Sequence, residues 1–368
     1  MSRISNAFNV TVESAPSAPS WYSGLTLNTW TQLANTNTLS SVGANVGPSS
    51  SEAVMTAYAG AAFASNFGTF GSMIHWNGGH SDYYGNEVYA FDLNTSTWSM
   101  IKGPYTGSMF PPSPVNGWWS DGTPAVPHTY YFVGYRPSTN EFIAGWRATT
   151  NQGGGNQPTP SRINLSTKVW VNSSQELPFT IGSDEGCVYD SSRDSLWYVS
   201  TIFGVKVGRY SFASDSFVGN YSLSSAVNEG PVVYVPTKDC ILRFHTTGGN
   251  GCLGIDCTNP SAGTVSIAFT GSGPSSYSYG NMAHWSPNLG KVVWYNSRSN
   301  SLYTLTPPSG DWKTQAWTWA AVPMSGTTGT HSGSTGTYGK FQLAHWGSAT
   351  VAIVNANYNG PCVVAKLS

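Results

Sequence analysis

The sequence predicts an all-β chain closed into a ring of four-stranded sheets, a single β-propeller. Helical periodicity is nearly absent over 368 residues, and short apolar or alternating runs sit between Gly, Pro, Asn and Ser clusters. One unit recurs: an aromatic residue, a Pro or Ser among polar turn residues, then a short strand. It reads YRPSTNEFIAGW from Tyr135, YDSSRDSLWYVS from Tyr189, YVPTKDCILRFH from Tyr234 and WSPNLGKVVWYN from Trp285. The interval of about 45–55 residues is the length of one four-stranded blade.

The elements follow in chain order. In the first blade, near 57–103, EVYAFDL is the third strand, NTST the turn and WSMI the fourth strand. Further blades are expected near 126–176, 182–225, 229–271 and 279–324. Their third and fourth strands include SRINLST then KVWVN, VGRYSFAS then FVGNYSL, and SLYTLT then WTWAAV. The last segment, 336–368, offers only three strands. The spare strand LNTWTQLA, residues 27–34 with Trp30, supplies the missing one, so six blades close through the N-terminal strand. Closure removes an exposed sheet edge. A seventh blade would need residues 36–56, which are too polar and too rich in Gly and Ser, and are expected to form a long loop. The domain plan is an arm over 1–20 and one propeller over 21–368.

Composition narrows the function classes. Only 9% of residues are charged, against roughly 25% in ordinary soluble domains. A net charge of −1 gives no basic face for nucleic acid and no drive toward an anionic membrane. No apolar run approaches membrane-spanning length. The start, MSRISNAFNVTVESAP, has no signal-peptide core. The 14% of aromatic residues, among abundant Ser, Thr and Asn, suit carbohydrate, whose apolar faces stack on rings while its hydroxyls seek neutral partners. The expected location is a virus particle or the extracellular space. Five cysteines are an odd count. Cys252 and Cys257 could pair across a local turn, but their spacing is not that of a zinc site, and buried thiols are the expectation.

The first blade resembles a kelch repeat: the strand SMIHW, the pair Gly78-Gly79, a spaced Tyr89, the strand VYAFDL and Trp98. More narrowly, Gly78 to Leu93 and the stretch DGTPAVPHTYYFVGYRP from Asp121 resemble galactose-oxidase-like propellers of phages and bacteria. Some propellers of that kind are ulvan-lyase-type polysaccharide lyases; others are encoded beside phage tail genes. The resemblance covers about a quarter of the chain and implies fold more than activity.

A lyase acting on a uronate needs a base for the proton beside the carboxylate, an acid for the leaving oxygen, and a group to neutralise the carboxylate. The resemblance implies His and Tyr for the proton transfers. His80, His128 and Tyr130 match its motifs, and Arg147 is the candidate neutralising group. Asp82, Tyr83, Tyr84, Trp118 and Trp119 are candidate substrate-binding residues. Each has a structural alternative: His80 and Asp82 as loop hydrogen-bonding groups, His128 as a channel or capping residue, Asn86 and Glu87 as turn and interblade partners. His-Trp recurs at His75, His284 and His345, with His75 on a second strand and the other two on first strands, so the three need not converge; His284, His345 and His128 are the set to test for a shared channel ligand. No cofactor is expected. A structural cation is compatible with the sequence, and a copper-radical centre is not expected, because no Cys stands in a motif for it. The expected function is a glycan-facing propeller, a tail- or fibre-associated phage component whose partners are a host surface polysaccharide and other virion proteins. The alternatives are a β-eliminating lyase and a protein-interaction propeller.

Overall fold

A computed structural model describes residues 18–44, 52–56, 58–76, 83, 85–107, 115, 117–145, 160–173, 186–200, 206–223, 230–245, 251–275, 277, 280–329 and 337–368. Strand β1 (Trp30–Gln32) precedes two one-turn helices, α1 (Leu39–Val42) and α2 (Ala53–Thr56), which fall in the stretch expected to be loop. Blade one holds β2 (Ala61–Ala64), β3 (Ser72–His75), β4 (Val88–Asp92) and β5 (Thr97–Lys102). Blade two holds β6 (Val133–Arg136), β7 (Glu141–Ala144), β8 (Ser161–Asn164) and β9 (Val169–Asn172). Blade three holds β10 (Gly186–Asp190), β11 (Ser195–Ser200), β12 (Lys206–Ser211) and β13 (Ser216–Ser222). Blade four holds β14 (Val232–Val235), β15 (Cys240–His245), β16 (Gly251–Asp256) and β17 (Thr264–Ser266). After β18 (Phe269–Gly271), blade five holds β19 (Met282–Ser286), β20 (Lys291–Asn296), β21 (Ser301–Thr306) and β22 (Trp317–Val322). Blade six holds β23 (Phe341–Trp346), β24 (Ala349–Val354) and β25 (Val363–Lys366).

Within each blade the strands run antiparallel in sequence order. The first strands form the inner ring, β2 against β6, then β10, β14, β19, β23 and β2 again. Blade six is completed by β1, which pairs with β25 with Trp30 opposite Ala365, so six blades close through the N-terminal strand. One addition was not legible beforehand: β18 leaves the tail of blade four and pairs in parallel with β22, giving blade five a fifth strand.

The core lies between the blades. Trp76, Trp98, Trp197, Trp294 and Trp317 are all fully buried. Rings meet across the seams, Trp76 with Trp170 at 5.3 Å, Phe244 with Trp294 at 4.9 Å, and Tyr295 stacked on Phe341 at 5.0 Å. Such pairs add specific geometry to a large apolar burial. All five cysteines are free and buried.

The recurring aromatic-turn unit has a local cause. Tyr135, Tyr189 and Tyr234 donate their hydroxyls to Asn140, Asp194 and Asp239, each five residues on, at 2.9, 2.9 and 3.1 Å. Those acceptors hold φ of 54°, 46° and 46°, the left-handed region that Asn and Asp tolerate better than other side chains. The same pair recurs as Tyr210 with Asp215 and Tyr295 with Asn300. Hydrogen bonds then run from blade to blade on the face of the first hairpin turns. Asn66 donates to Pro137 O, Arg136 to Asp194, Arg193 to Asp239, Lys238 to Gly310 O, Asn288 to Gly347 O, and Trp346 to Phe70 O.

Candidate functional site

The opposite face carries the connections that enter the inner strands. Tyr58 lies before β2, His128 to Tyr131 before β6, and Tyr338 before β23. Their rings meet. His128 lies 4.7 Å from the ring of Tyr58, Tyr58 5.3 Å from Tyr130, and Tyr338 5.6 Å from Tyr130 and 5.1 Å from Tyr131. His128 Nδ1 and the Tyr130 hydroxyl are 3.2 Å apart. The amide of Tyr130 also donates to Tyr58 O at 2.8 Å.

Tyr58, Tyr130 and Tyr338 hold φ of 50°, 42° and 44°. A bulky residue in that region carries backbone strain, which persists where its surroundings enforce it and gathers at functional sites. Three strained tyrosines in mutual contact mark this cluster as the candidate site. His128 and Tyr130 are 4% and 7% exposed, and Tyr58 is half-buried.

Lys340 stands beneath the cluster, fully buried, with Nζ donating to Ala59 O at 2.6 Å and lying 5.8 Å from the Tyr338 ring. Burial pulls its amine down to about 7. An imidazole, several phenols and an amine that gives up its proton near neutrality are therefore adjacent, a set able to hold and pass protons and to hydrogen-bond hydroxyls.

Of the expected site residues, the structure brings His128 and Tyr130 together. His80, Asp82, Tyr84 and Arg147 lie outside the described residues. Tyr83 is fully buried, its hydroxyl between Glu87 and Ala44 O, and is part of a knot rather than a platform. Tyr89 donates to the same Glu87 oxygen at 2.8 Å. Burial raises the Glu87 carboxyl despite these bonds. Trp119 is buried and stacks on Tyr105 at 4.8 Å, and Trp118 is half-buried. Asn86 donates to Thr123 Oγ1 and Pro124 O and accepts from the Tyr105 amide, a structural role. Sequence reasoning missed Tyr58, Tyr338 and Lys340. A signal did exist: the dipeptides Thr129-Tyr130 and Thr337-Tyr338 each stand just before an inner strand.

The three recurring His-Trp histidines part company. His75 ends the second strand of blade one and is fully buried, with neither ring nitrogen hydrogen-bonded among the described residues. His284 and His345 instead line a cavity of about 320 Å³ inside the ring of first strands, whereas His128 belongs to the tyrosine cluster. Among the described residues no three His, Cys, Asp or Glu side chains gather as a metal site, and no helix is long and apolar enough to cross a membrane.

No family model and no curated protein matches the chain. A solved structure titled "Structure of YjhT" aligns with a TM-score of 0.47 at 11% identity, covering 84% of this chain and 93% of that one.

Proposed function

We propose that this propeller is a glycan-binding protein, a tail- or fibre-associated component of a phage particle that presents its tyrosine-cluster face to a host surface polysaccharide. The observation that carries the proposal is the strained cluster of Tyr58, Tyr130 and Tyr338 around His128. The half-buried ring of Tyr58 offers a stacking face to the apolar side of a sugar, and neutral donors and acceptors meet its hydroxyls. The scarcity of charge and the resemblance of the first two blades to phage-encoded propellers support the same reading. Binding to a panel of bacterial surface polysaccharides tests it. Saturable binding that weakens when the cluster is altered is the expected result, and no binding to any of them overturns it. A gene neighbourhood without tail or capsid genes overturns the particle assignment alone.

The hydrogen bond between His128 and Tyr130 favours a second reading, a polysaccharide lyase acting on a uronate-containing glycan. The imidazole would take the proton beside the carboxylate and the phenol would protonate the leaving oxygen as the double bond forms. Incubation with uronate polysaccharides, followed by ultraviolet absorbance of the unsaturated product, separates the two. Binding without product leaves the binder; product assigns the lyase.

A further inference from the structure

The inner ring encloses a second compartment that the tyrosine cluster does not use. Its cavity of about 320 Å³ is lined by first-strand residues of all six blades, among them Phe63, Tyr135, Tyr189, His284 and His345. A side chamber of about 260 Å³ shares Tyr189 and His284 with it and extends over Tyr234 and Trp285. Among the described residues the lining of both includes no Asp, Glu, Lys or Arg. The two histidines are neutral at pH 7, because burial holds each at about 4. His284 Nε2 lies 2.9 Å from Phe341 O. A carbonyl only accepts, so Nε2 carries the proton, and the neutral ring keeps Nδ1 as a bare acceptor. His345 meets Thr350 Oγ1 through Nδ1.

We propose that these joined compartments are a binding site for an uncharged carbohydrate about two sugar rings long, distinct from the tyrosine-cluster face. The larger volume lies within the range of ligand pockets and the smaller adjoins it, and apolar walls with a few placed polar groups are their usual make-up. Aromatic residues from successive first strands offer faces to pyranose rings. The imidazole Nδ1 of His284 accepts from a hydroxyl at the junction of the two chambers. With no charged side chain among the described lining residues, a uronate or phosphate there would find no ion-pair partner among them. The proposal does not rest on glycan binding at the other face.

The Met282 methyl group reports on the site, since Met282 lines the larger cavity. The full chain, labelled at its methionine methyls, is titrated with lactose, maltose and cellobiose, and with glucuronate as the charged control. At least one disaccharide is expected to shift the Met282 signal saturably while glucuronate does not. His284→Phe and His345→Phe, which keep a ring in place, are expected to weaken that binding at least ten-fold. The proposal is overturned if no disaccharide moves Met282, if glucuronate moves it equally, or if both folded variants bind as the natural chain does. Because the first two readouts use the natural chain, a variant that fails to fold does not block the test.

Discussion

The guanidinium of Arg136 closes a two-point hydrogen bond onto the carboxylate of Asp194, with Nε to Oδ1 at 2.7 Å and Nη2 to Oδ2 at 2.5 Å. The contact joins blade two to blade three. Asp194 also accepts from Tyr189, and Arg136 also pairs with Glu141 and lies 4.8 Å from the ring of Phe212. The pair next round the ring, Arg193 with Asp239, has the same form at 2.7 and 2.6 Å. Each clasp thus secures a hairpin turn and an interblade seam with one carboxylate.

Arg136→Ala is expected to cost about 2 kcal/mol, in the range for charge-assisted hydrogen bonds with one partner partly exposed. Arg136→Lys should recover little, because a point ammonium cannot make the two-pronged contact. At the acceptor, Asp194→Ala should be worse than Asp194→Asn, since Asn tolerates the positive φ of that position and keeps an acceptor for Tyr189. Urea unfolding of the four variants checks the order; equal stability of the Lys variant and the natural chain would contradict it.

His75 lies 5.1 Å from the Trp98 ring and has no hydrogen-bond partner for either nitrogen among the described residues. Burial, followed by the charge of Lys340, pulls it down to about 3. The unfolded chain takes up this proton below about 6.5 whereas the folded chain does not until about 3, so stability falls as pH drops through that window. His75→Phe is expected to raise stability at pH 7 by about 1 kcal/mol by removing an unsatisfied buried polar group. It should also flatten the acid limb by close to one proton. Chemical denaturation at pH 7 and pH 5 measures both effects.

The ring was legible because its units repeat and because Trp30 sits in a strand that its own neighbourhood cannot pair. The reason for the repeat was less visible. Tyr135 with Asn140 and Tyr189 with Asp194 stand five residues apart, a spacing that matches no helix or strand period and acquires meaning only once the turn places the Asx residue in the left-handed region. At the candidate site, His128 and Tyr130 were found because a local motif carries them. Tyr58 and Tyr338 were not, since they come from opposite ends of the chain and meet only when the ring closes. Lys340 looks like an ordinary surface lysine in GTYGK, and its burial follows from blade six packing on blade one.

Lys340 gives the opposite limb of the pH profile. Its amine stands at about 7 in the folded chain against 10.5 when free, so the unfolded chain binds more protons between those values and stability rises from pH 7 toward pH 9. Lys340→Met should abolish that rise while changing stability at pH 7 by no more than about 1 kcal/mol, as one hydrogen bond to Ala59 O is lost. Urea midpoints at pH 7 and pH 9 test this below the range where tyrosines ionise. A rise that persists in the variant would assign it to another group.

Tyr130→Phe removes the hydroxyl that meets His128 and keeps the ring against Tyr58 and Tyr338. The fold should survive, with stability lowered by about 1 kcal/mol. Polysaccharide affinity should fall about ten-fold if that hydroxyl contacts a sugar. Affinity and thermal unfolding measured on the same preparation distinguish a binding role from a structural one: a structural role would lower stability alone.

Closure of the ring rests on a three-residue strand, and Trp30 is its anchor. The indole is 5% exposed, lies edge-on to Tyr295 at 5.8 Å, and donates to Asn300 O at 3.2 Å. Its backbone donates to Ser325 O while the strand pairs with β25. One residue therefore ties blade six to blade five from the outer edge. Trp30→Ala is expected to cost about 3–5 kcal/mol, the usual range for emptying a large buried aromatic site. The loss should be local before it is global, because releasing β1 bares the edge of β25 and leaves the other five blades paired. Hydrogen exchange should accordingly quicken first at Val364, whose amide faces β1, and later at β11 and β15. Uniform quickening across all six blades would show that the ring opens only as a whole.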